Sequence, residues 1–260
     1  MKKKIESFSD SIRCIEIEVN SRCNRRCSYC PVSIMPKPPV PKEMPISTFI
    51  SLLEKLAKSS YRGRISYHFL SEPLLRKDLA VLVRNTKTYL PGSWQVLFSN
   101  GDHLDQERYD ELRDAGIDQF IITAHDLKKH PERPGQYVQY PDDLEITNRG
   151  GALKHLPLPD SATLKQPCFA PSEMLIVTAT GDLLLCYEDS SRENVLGNIL
   201  TSSLDEIWLS PIYVRLRELL SNGRREEAAD ICRRCTNRAH VVPGRSAASE
   251  PFWSTFEHSA

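Results

Sequence analysis

From residue 12 to residue 19 apolar and polar positions alternate: Ile15, Ile17 and Val19 fall on one face, Cys14, Glu16 and Glu18 on the other. A period of two predicts a β-strand. Two carboxylates on one face of a buried strand are costly unless they meet partners or a polar cavity. The period then lengthens. Phe49, Ile50, Leu53, Leu56 and Ala57 recur at helical spacing and predict a helix over 46–58 with Ser47 as its cap. A strand-like run over 64–70 follows. Next come a helix over 79–89 stopped by Pro91-Gly92, a strand over 94–98, a helix over 107–115 ended by Gly116, and a strand over 118–123. Residues 127–141 are proline-rich, polar and aromatic and read as a loop; a short fifth strand is expected over 144–147. Strand–helix alternation with functional-looking strand ends predicts an α/β fold, a parallel β/α barrel that five strands leave partial and open.

The last third has a different rhythm. Two strand-like runs, 174–178 and 183–186, flank the turn Thr180-Gly181-Asp182 and predict a hairpin. A helix capped by Ser203 and an amphipathic helix over 212–220 follow. The expected division is a barrel over 1–159, a small domain of hairpin plus helices over 160–241, and a tail over 242–260 that carries Phe252, Trp253 and Phe256.

Formal net charge is zero, which argues against a nucleic-acid-binding face or a polybasic membrane surface. Lys2-Lys3-Lys4 leads into no apolar stretch, so no signal peptide is expected, and no window has the length of a membrane span. A cytoplasmic protein is expected. Eight cysteines in such a chain read as metal ligands rather than disulfides. They stand at 14, 23, 27 and 30, then at 168, 186, 232 and 235, a gap that suggests two metal centres.

Cys23, Cys27 and Cys30 form CxxxCxxC directly after the first strand. Three thiolates on one short loop can hold three corners of an iron–sulfur cube and leave the fourth iron open to a chelating small molecule. A zinc loop is the alternative, but zinc loops commonly pair CxxC with a distant second pair.

With Tyr29 just before the third cysteine, this stretch resembles the radical S-adenosylmethionine enzymes. The resemblance implies that the open iron binds S-adenosylmethionine, whose reductive cleavage gives a 5′-deoxyadenosyl radical that abstracts hydrogen from substrate. It further implies cofactor contacts at Tyr29, at Ser71-Glu72-Pro73 (the family's Gly-Glu-Pro with serine for glycine), and at Asn100-Gly101. Cys168, Cys186, Cys232 and Cys235, spaced C-x12-G-x4-C before a final CxxC, resemble the family's twitch domain, which holds an auxiliary 4Fe–4S cluster on four cysteines. Here too a zinc site is the alternative.

Runs around Glu16–Ser21, Gly63–Phe69 and Asn148–Gly151 are similar to the aminocyclitol dehydrogenases of the family. That likeness spans most of the chain and implies oxidation of a secondary alcohol to a ketone on a small polyhydroxylated substrate: a sugar, aminocyclitol or aminoglycoside. Arg149 would hold the oxygen, Glu16 or solvent would take the proton, and the auxiliary cluster would take the second electron. Leu70, Phe98 and Tyr187 are expected beside them. Leu70 and Phe98 stand where those dehydrogenases carry tyrosines, so a different substrate is expected. A flavodoxin or ferredoxin would reduce the first cluster.

Three other readings stand beside this one. An epimerase needs a spare thiol as hydrogen donor, and Cys14, the only one left, reads as a buried apolar residue at the wrong end of its strand. Peptide-modifying enzymes usually carry an N-terminal peptide-binding domain, for which about a dozen residues leave no room. A non-enzymatic iron–sulfur scaffold would release no 5′-deoxyadenosine. His125, at a strand end, reads as a hydrogen-bonding structural residue.

Overall fold

The computed structural model describes residues 8–35, 41–127, 129–156 and 163–243. A short helix α1 (Phe8–Ser11) leads into β1 (Cys14–Ile17). The alternation continues as α2 (Ile46–Lys58), β2 (Arg64–Ser66), α3 (Leu79–Tyr89), β3 (Trp94–Ser99), α4 (Gln106–Ala115), β4 (Gln119–Thr123) and β5 (Gln136–Gln139). Then come α5 (Ala170–Glu173), the strands β6 (Met174–Val177), β7 (Asp182–Leu184) and β8 (Val195–Asn198), and the helices α6 (Leu204–Trp208), α7 (Pro211–Ser221), α8 (Arg225–Ala228) and α9 (Asp230–Arg234).

All eight strands lie in one open sheet, ordered β5-β4-β3-β2-β1-β6-β7-β8. From β5 to β6 neighbours are parallel; β7 and β8 add antiparallel. The two faces differ as the alternation requires. Ile15, Ile17, Ile65, Leu97, Phe120, Ile122, Leu175 and Val177 join the main apolar core with Phe49, Leu52, Leu53, Leu82, Val83 and Leu112 of α2, α3 and α4. The opposite face carries Glu16, Arg64 and Ser66, together with a smaller apolar group of Cys14, Phe69, Leu70, Met174, Ile176 and Leu184. That inner face lines the mouth of the partial barrel.

Helices α2 and α3 span the expected residues. The cap of α2 is Pro45, not Ser47, which sits inside the first turn; with its fixed φ, proline sets the entry angle without a side-chain acceptor. The fifth strand is also displaced. It runs over Gln136–Gln139 inside the stretch read as loop, paired with β4 from Phe120↔Gln136 to Thr123↔Gln139. Residues 144–147 form no strand, and Ile146 is exposed. An edge strand that is half-buried throughout gives a weak hydrophobic signal, and its flanking prolines masked it. The hairpin over 174–186 is present and gains a third strand, β8, that the sequence reading lacked. Its first strand is parallel to β1 from Cys14↔Met174 to Ile17↔Val177. The expected boundary at 159/160 and most of the 242–260 tail lie outside the described residues.

Candidate active site

The loop after β1 is braced on two sides. Asn20 Nδ2 donates to the Glu72 carbonyl at 2.9 Å, and the Glu72 N–H donates to the Arg22 carbonyl at 2.7 Å. Farther along, Asn24 Nδ2 and Arg25 Nε donate to Asp102 at 2.6 and 2.7 Å, and Asn100 Nδ2 donates to Asn24 Oδ1 at 2.9 Å. The Tyr29 hydroxyl is hydrogen-bonded to His125 Nδ1, giving His125 the structural part expected of it. The loop carrying Cys23, Cys27 and Cys30 is thereby fixed against the ends of β2, β3 and β4. Burial pushes the Cys23 and Cys27 thiols up, and neighbouring cysteines add to the shift. A cavity of about 350 Å³ opens beside this loop, lined among others by Cys23, Leu70, Met35 and Arg192.

Ser71-Glu72-Pro73 follows β2. The Glu72 carboxylate is buried: Oε1 accepts from Ser99 Oγ at 2.8 Å and from the Leu74 N–H at 3.0 Å, while Oε2 accepts from the Asn100 N–H at 2.8 Å. Burial pushes its pKa up and these donors pull it back. Oε2 receives one hydrogen bond where a carboxylate oxygen can accept two. Ser71 Oγ is enclosed without a partner. Gly101 has φ 76°, and a Cβ there would lie 2.5 Å from the His130 ring, so this turn requires glycine.

Cys168, Cys186 and the pair Cys232 and Cys235 come from three segments yet line one cavity, with Tyr187, Glu188, Arg225 and His240. Burial raises all four thiols, Cys232 and Cys235 to about 12. The fully buried Arg225 donates to the carbonyls of Gln166, Pro167 and Asn237 at 3.0 to 3.1 Å. Its positive charge lowers Cys168, Cys232 and Cys235. Four thiols around a cavity with a fixed cation behind them fit an anionic cluster. Among the described residues no three His, Cys, Asp or Glu side chains converge closely enough to hold a single metal ion.

Between the two cysteine sets lie the remaining residues. Arg149 has φ 52°, and Gly150 and Gly151 follow at φ 60° and 86°. A Cβ on Gly150 would stand 3.2 Å from Ile231 of α9, so the loop presses directly on the helix that carries Cys232. Arg149 Nη1 lies 3.6 Å from Glu188 Oε1, and its guanidinium lies 5.4 Å from the centre of the Tyr187 ring. Its Nε is enclosed and unpartnered. Cys30 of one set and Cys235 of the other both act on its charge. The Glu188 carboxylate also accepts from Thr147 Oγ1 at 3.0 Å and Asn237 Nδ2 at 2.9 Å.

Glu16 is ion-paired with Arg64, and its Oε2 lies 3.1 Å from His68 Nδ1. Burial alone would raise the carboxyl; Arg64 and His68 together hold it down at about 2. His68 packs against Phe98 at 4.7 Å and Tyr187 at 5.7 Å between ring centres, and the Arg64 guanidinium lies 5.3 Å from Phe98. Leu70 belongs to the apolar group around Cys14. The sequence singled out neither His68, Arg64 and Glu188 nor Arg225. A polar residue on the inward period of β2 was the available signal for the first two.

An open parallel barrel with three thiols on its first loop and four more around a cavity across its mouth defines a two-cluster radical enzyme. The Radical SAM superfamily model matches residues 17–143, and the SPASM iron–sulfur cluster-binding domain model matches residues 168–236. The chain belongs to the radical S-adenosylmethionine superfamily: it is an oxidoreductase that uses S-adenosylmethionine and two iron–sulfur clusters. It is 37% identical over 235 residues to the S-adenosyl-L-methionine-dependent 2-deoxy-scyllo-inosamine dehydrogenase of Niallia circulans, covering 86% of this chain and 92% of that one. The solved structure of BtrN in complex with AdoMet and 2-DOIA matches with a TM-score of 0.84 at 33% identity, over 91% of this chain and 98% of that one. An open conformation of BtrN matches with a TM-score of 0.74 at 29% identity, over 95% and 99%. Among the described residues no helix is long and apolar enough to cross a membrane.

Proposed function

We propose that this chain oxidises a secondary alcohol of a sugar, aminocyclitol or aminoglycoside-type substrate to a ketone, with the auxiliary cluster receiving the second electron. The observation that carries the reading is Arg149, 3.6 Å from Glu188 on a loop packed against α9, the helix that carries Cys232. An alcohol held there would lie beside the auxiliary cysteines, which would shorten the path of its second electron. When bound, S-adenosylmethionine and its cluster supply the hydrogen-abstracting radical.

The chain's own residues do the rest. Cys23, Cys27 and Cys30 would hold the first cluster, and Cys168, Cys186, Cys232 and Cys235 the second. Tyr29, Ser71, Glu72, Pro73, Asn100 and Gly101 would shape the cofactor site. Arg149, braced by Glu188, would hold the substrate oxygen and stabilise negative charge on it. Glu16 would act on the hydroxyl from the opposite wall. Tyr187, Phe98 and Leu70 would close the pocket, and the last two offer no hydrogen bond, which favours a substrate with an apolar or deoxygenated edge. The barrel over 1–159 would carry the radical site and 160–241 the auxiliary site. A cytoplasmic setting and a flavodoxin or ferredoxin donor complete the proposal.

No observation favours an epimerase: Cys14 is fully buried among Phe69, Leu70, Met174, Ile176 and Leu184. The test is anaerobic incubation of the reconstituted protein with carbinol-deuterated cyclitols and deoxy-sugars under dithionite. Deuterium in 5′-deoxyadenosine with one equivalent of ketone is the expected result. Cofactor cleavage without ketone from every alcohol tried would reject the oxidation.

A further inference from the structure

We infer that His68 takes the hydroxyl proton of the substrate alcohol, and that Glu16 acts on that proton through His68 by fixing its ring. The inference rests on the dehydrogenase reading above and assigns its proton step.

Glu16 by itself is poorly suited to be the base. One carboxylate oxygen is occupied by Arg64, the other faces His68 Nδ1 at 3.1 Å, and these two neighbours hold the carboxyl near 2 against the effect of burial. A carboxylate that acidic has little affinity for an alcohol proton. His68 Nδ1 and Glu16 Oε2 stand 3.1 Å apart without hydrogen-bond alignment, and neither has another partner; a small turn of the imidazole would set its Nδ1–H on the carboxylate, leave the Nε2 lone pair as base and steady the imidazolium that forms.

The surroundings favour that orientation. The ring is packed between Phe98 and Tyr187, which limits its rotation. Nδ1 is fully enclosed, while 15% of the side chain stays accessible, so the open edge belongs to the other side of the ring. The charged and titratable groups that face it are Glu16 from β1, Arg64 from β2, Glu72 from the loop after β2, and Tyr187 from the loop after β7. Tyr187 neighbours both groups, its ring centre 5.4 Å from the Arg149 guanidinium and 5.7 Å from that of His68, so the substrate oxygen would be held by a fixed cation and relieved of its proton by the imidazole.

The step balances. The carbinol C–H bond breaks, and its hydrogen atom would pass to the 5′-deoxyadenosyl radical that S-adenosylmethionine supplies when bound. The remaining carbon-centred radical loses its O–H proton to His68 Nε2 and one electron to the auxiliary cluster, and the C=O bond forms. His68 returns the proton to water through its accessible edge.

The experiment uses the reconstituted holoenzyme with carbinol-deuterated 2-deoxy-scyllo-inosamine as probe. His68→Gln is expected to keep deuterium transfer into 5′-deoxyadenosine, while ketone formed per 5′-deoxyadenosine falls by about 10²-fold. In His68→Ala, added imidazole is expected to restore the ketone. Unchanged ketone per 5′-deoxyadenosine in His68→Gln would overturn the assignment, as would loss of both products with no rescue in a folded, cluster-loaded protein. A second readout needs no turnover. Nitrogen-15 spectra of the wild-type histidines, with the His68 signal identified by its loss in His68→Gln, are expected to show the Nδ1–H form, and an Nε2–H form would overturn the assignment. If the wild type leaves the probe untouched, the choice of alcohol fails and the spectra still decide His68.

Discussion

Asn148 Nδ2 donates to the carbonyl oxygen of Arg234 at 2.7 Å, fastening the loop that carries Arg149 to the helix that carries Cys232. The Asn148 N–H adds a bond to Thr236 Oγ1 at 2.9 Å, and Asn148 Oδ1 accepts from Gly151 and Thr236. Asn148→Ala leaves buried donors and an acceptor unmet. A loss of about 1–3 kcal/mol is expected, read as a lower melting temperature of the cluster-loaded protein. Cofactor cleavage should survive better than ketone formation.

Glu188 braces Arg149 and also receives Thr147 and Asn237. Glu188→Gln keeps most of its volume and removes the charge facing the guanidinium. The Michaelis constant for the alcohol should rise while iron content stays at two clusters. Unaltered substrate affinity would separate Glu188 from the positioning of Arg149.

The Glu72 carboxylate joins the turn after β2 to the turn after β3 through three hydrogen bonds. Glu72→Ala removes all three acceptor contacts in a buried position. S-adenosylmethionine binding, followed by equilibrium dialysis, should weaken at least tenfold, and the melting temperature should drop as well. Glu72→Asp is expected to recover part of the stability and little of the binding, because the shorter arm does not span both turns.

The Glu16–Arg64 pair should give the fold a definite acid limit. The Glu16 carboxyl is depressed from 4.5 to about 2, with burial opposing and Arg64 and His68 overcoming it. A depressed carboxyl stabilises the folded state above its unfolded pKa, and that contribution is lost as pH falls through the folded value. The window is therefore from about 4.5 down to about 2, and the contribution above it is about 3 kcal/mol. Urea unfolding of Glu16→Gln against wild type should show that difference at pH 6 and its erosion toward pH 2.

Cys14 is enclosed in an apolar group, and burial pushes its thiol up to about 12. Cys14→Ala should cost about 1 kcal/mol of stability and leave ketone formation as it was. Appearance of dehydrogenase activity only in the variant would mark the wild type as an epimerase.

The helices were legible because their apolar stripes are long, and the cysteines because metal ligands keep strict spacing. Glu16 was legible as an inward-facing carboxylate since strand alternation fixes which face it occupies. The edge strand Gln136–Gln139 was not, because half-buried glutamines carry no period of their own. His68 and Glu188 were hidden for another reason. Each matters only through a residue 52 or 39 positions away, His68 through Glu16 and Glu188 through Arg149, and no local pattern records such an approach.

β6 lies in register against β1, so the strand that launches the radical loop and the strand that opens the auxiliary hairpin share one hydrogen-bonded ladder. The gap an electron must tunnel would then be set in part by the register of these two strands. The rate of transfer between the centres should change when a residue is inserted into either strand.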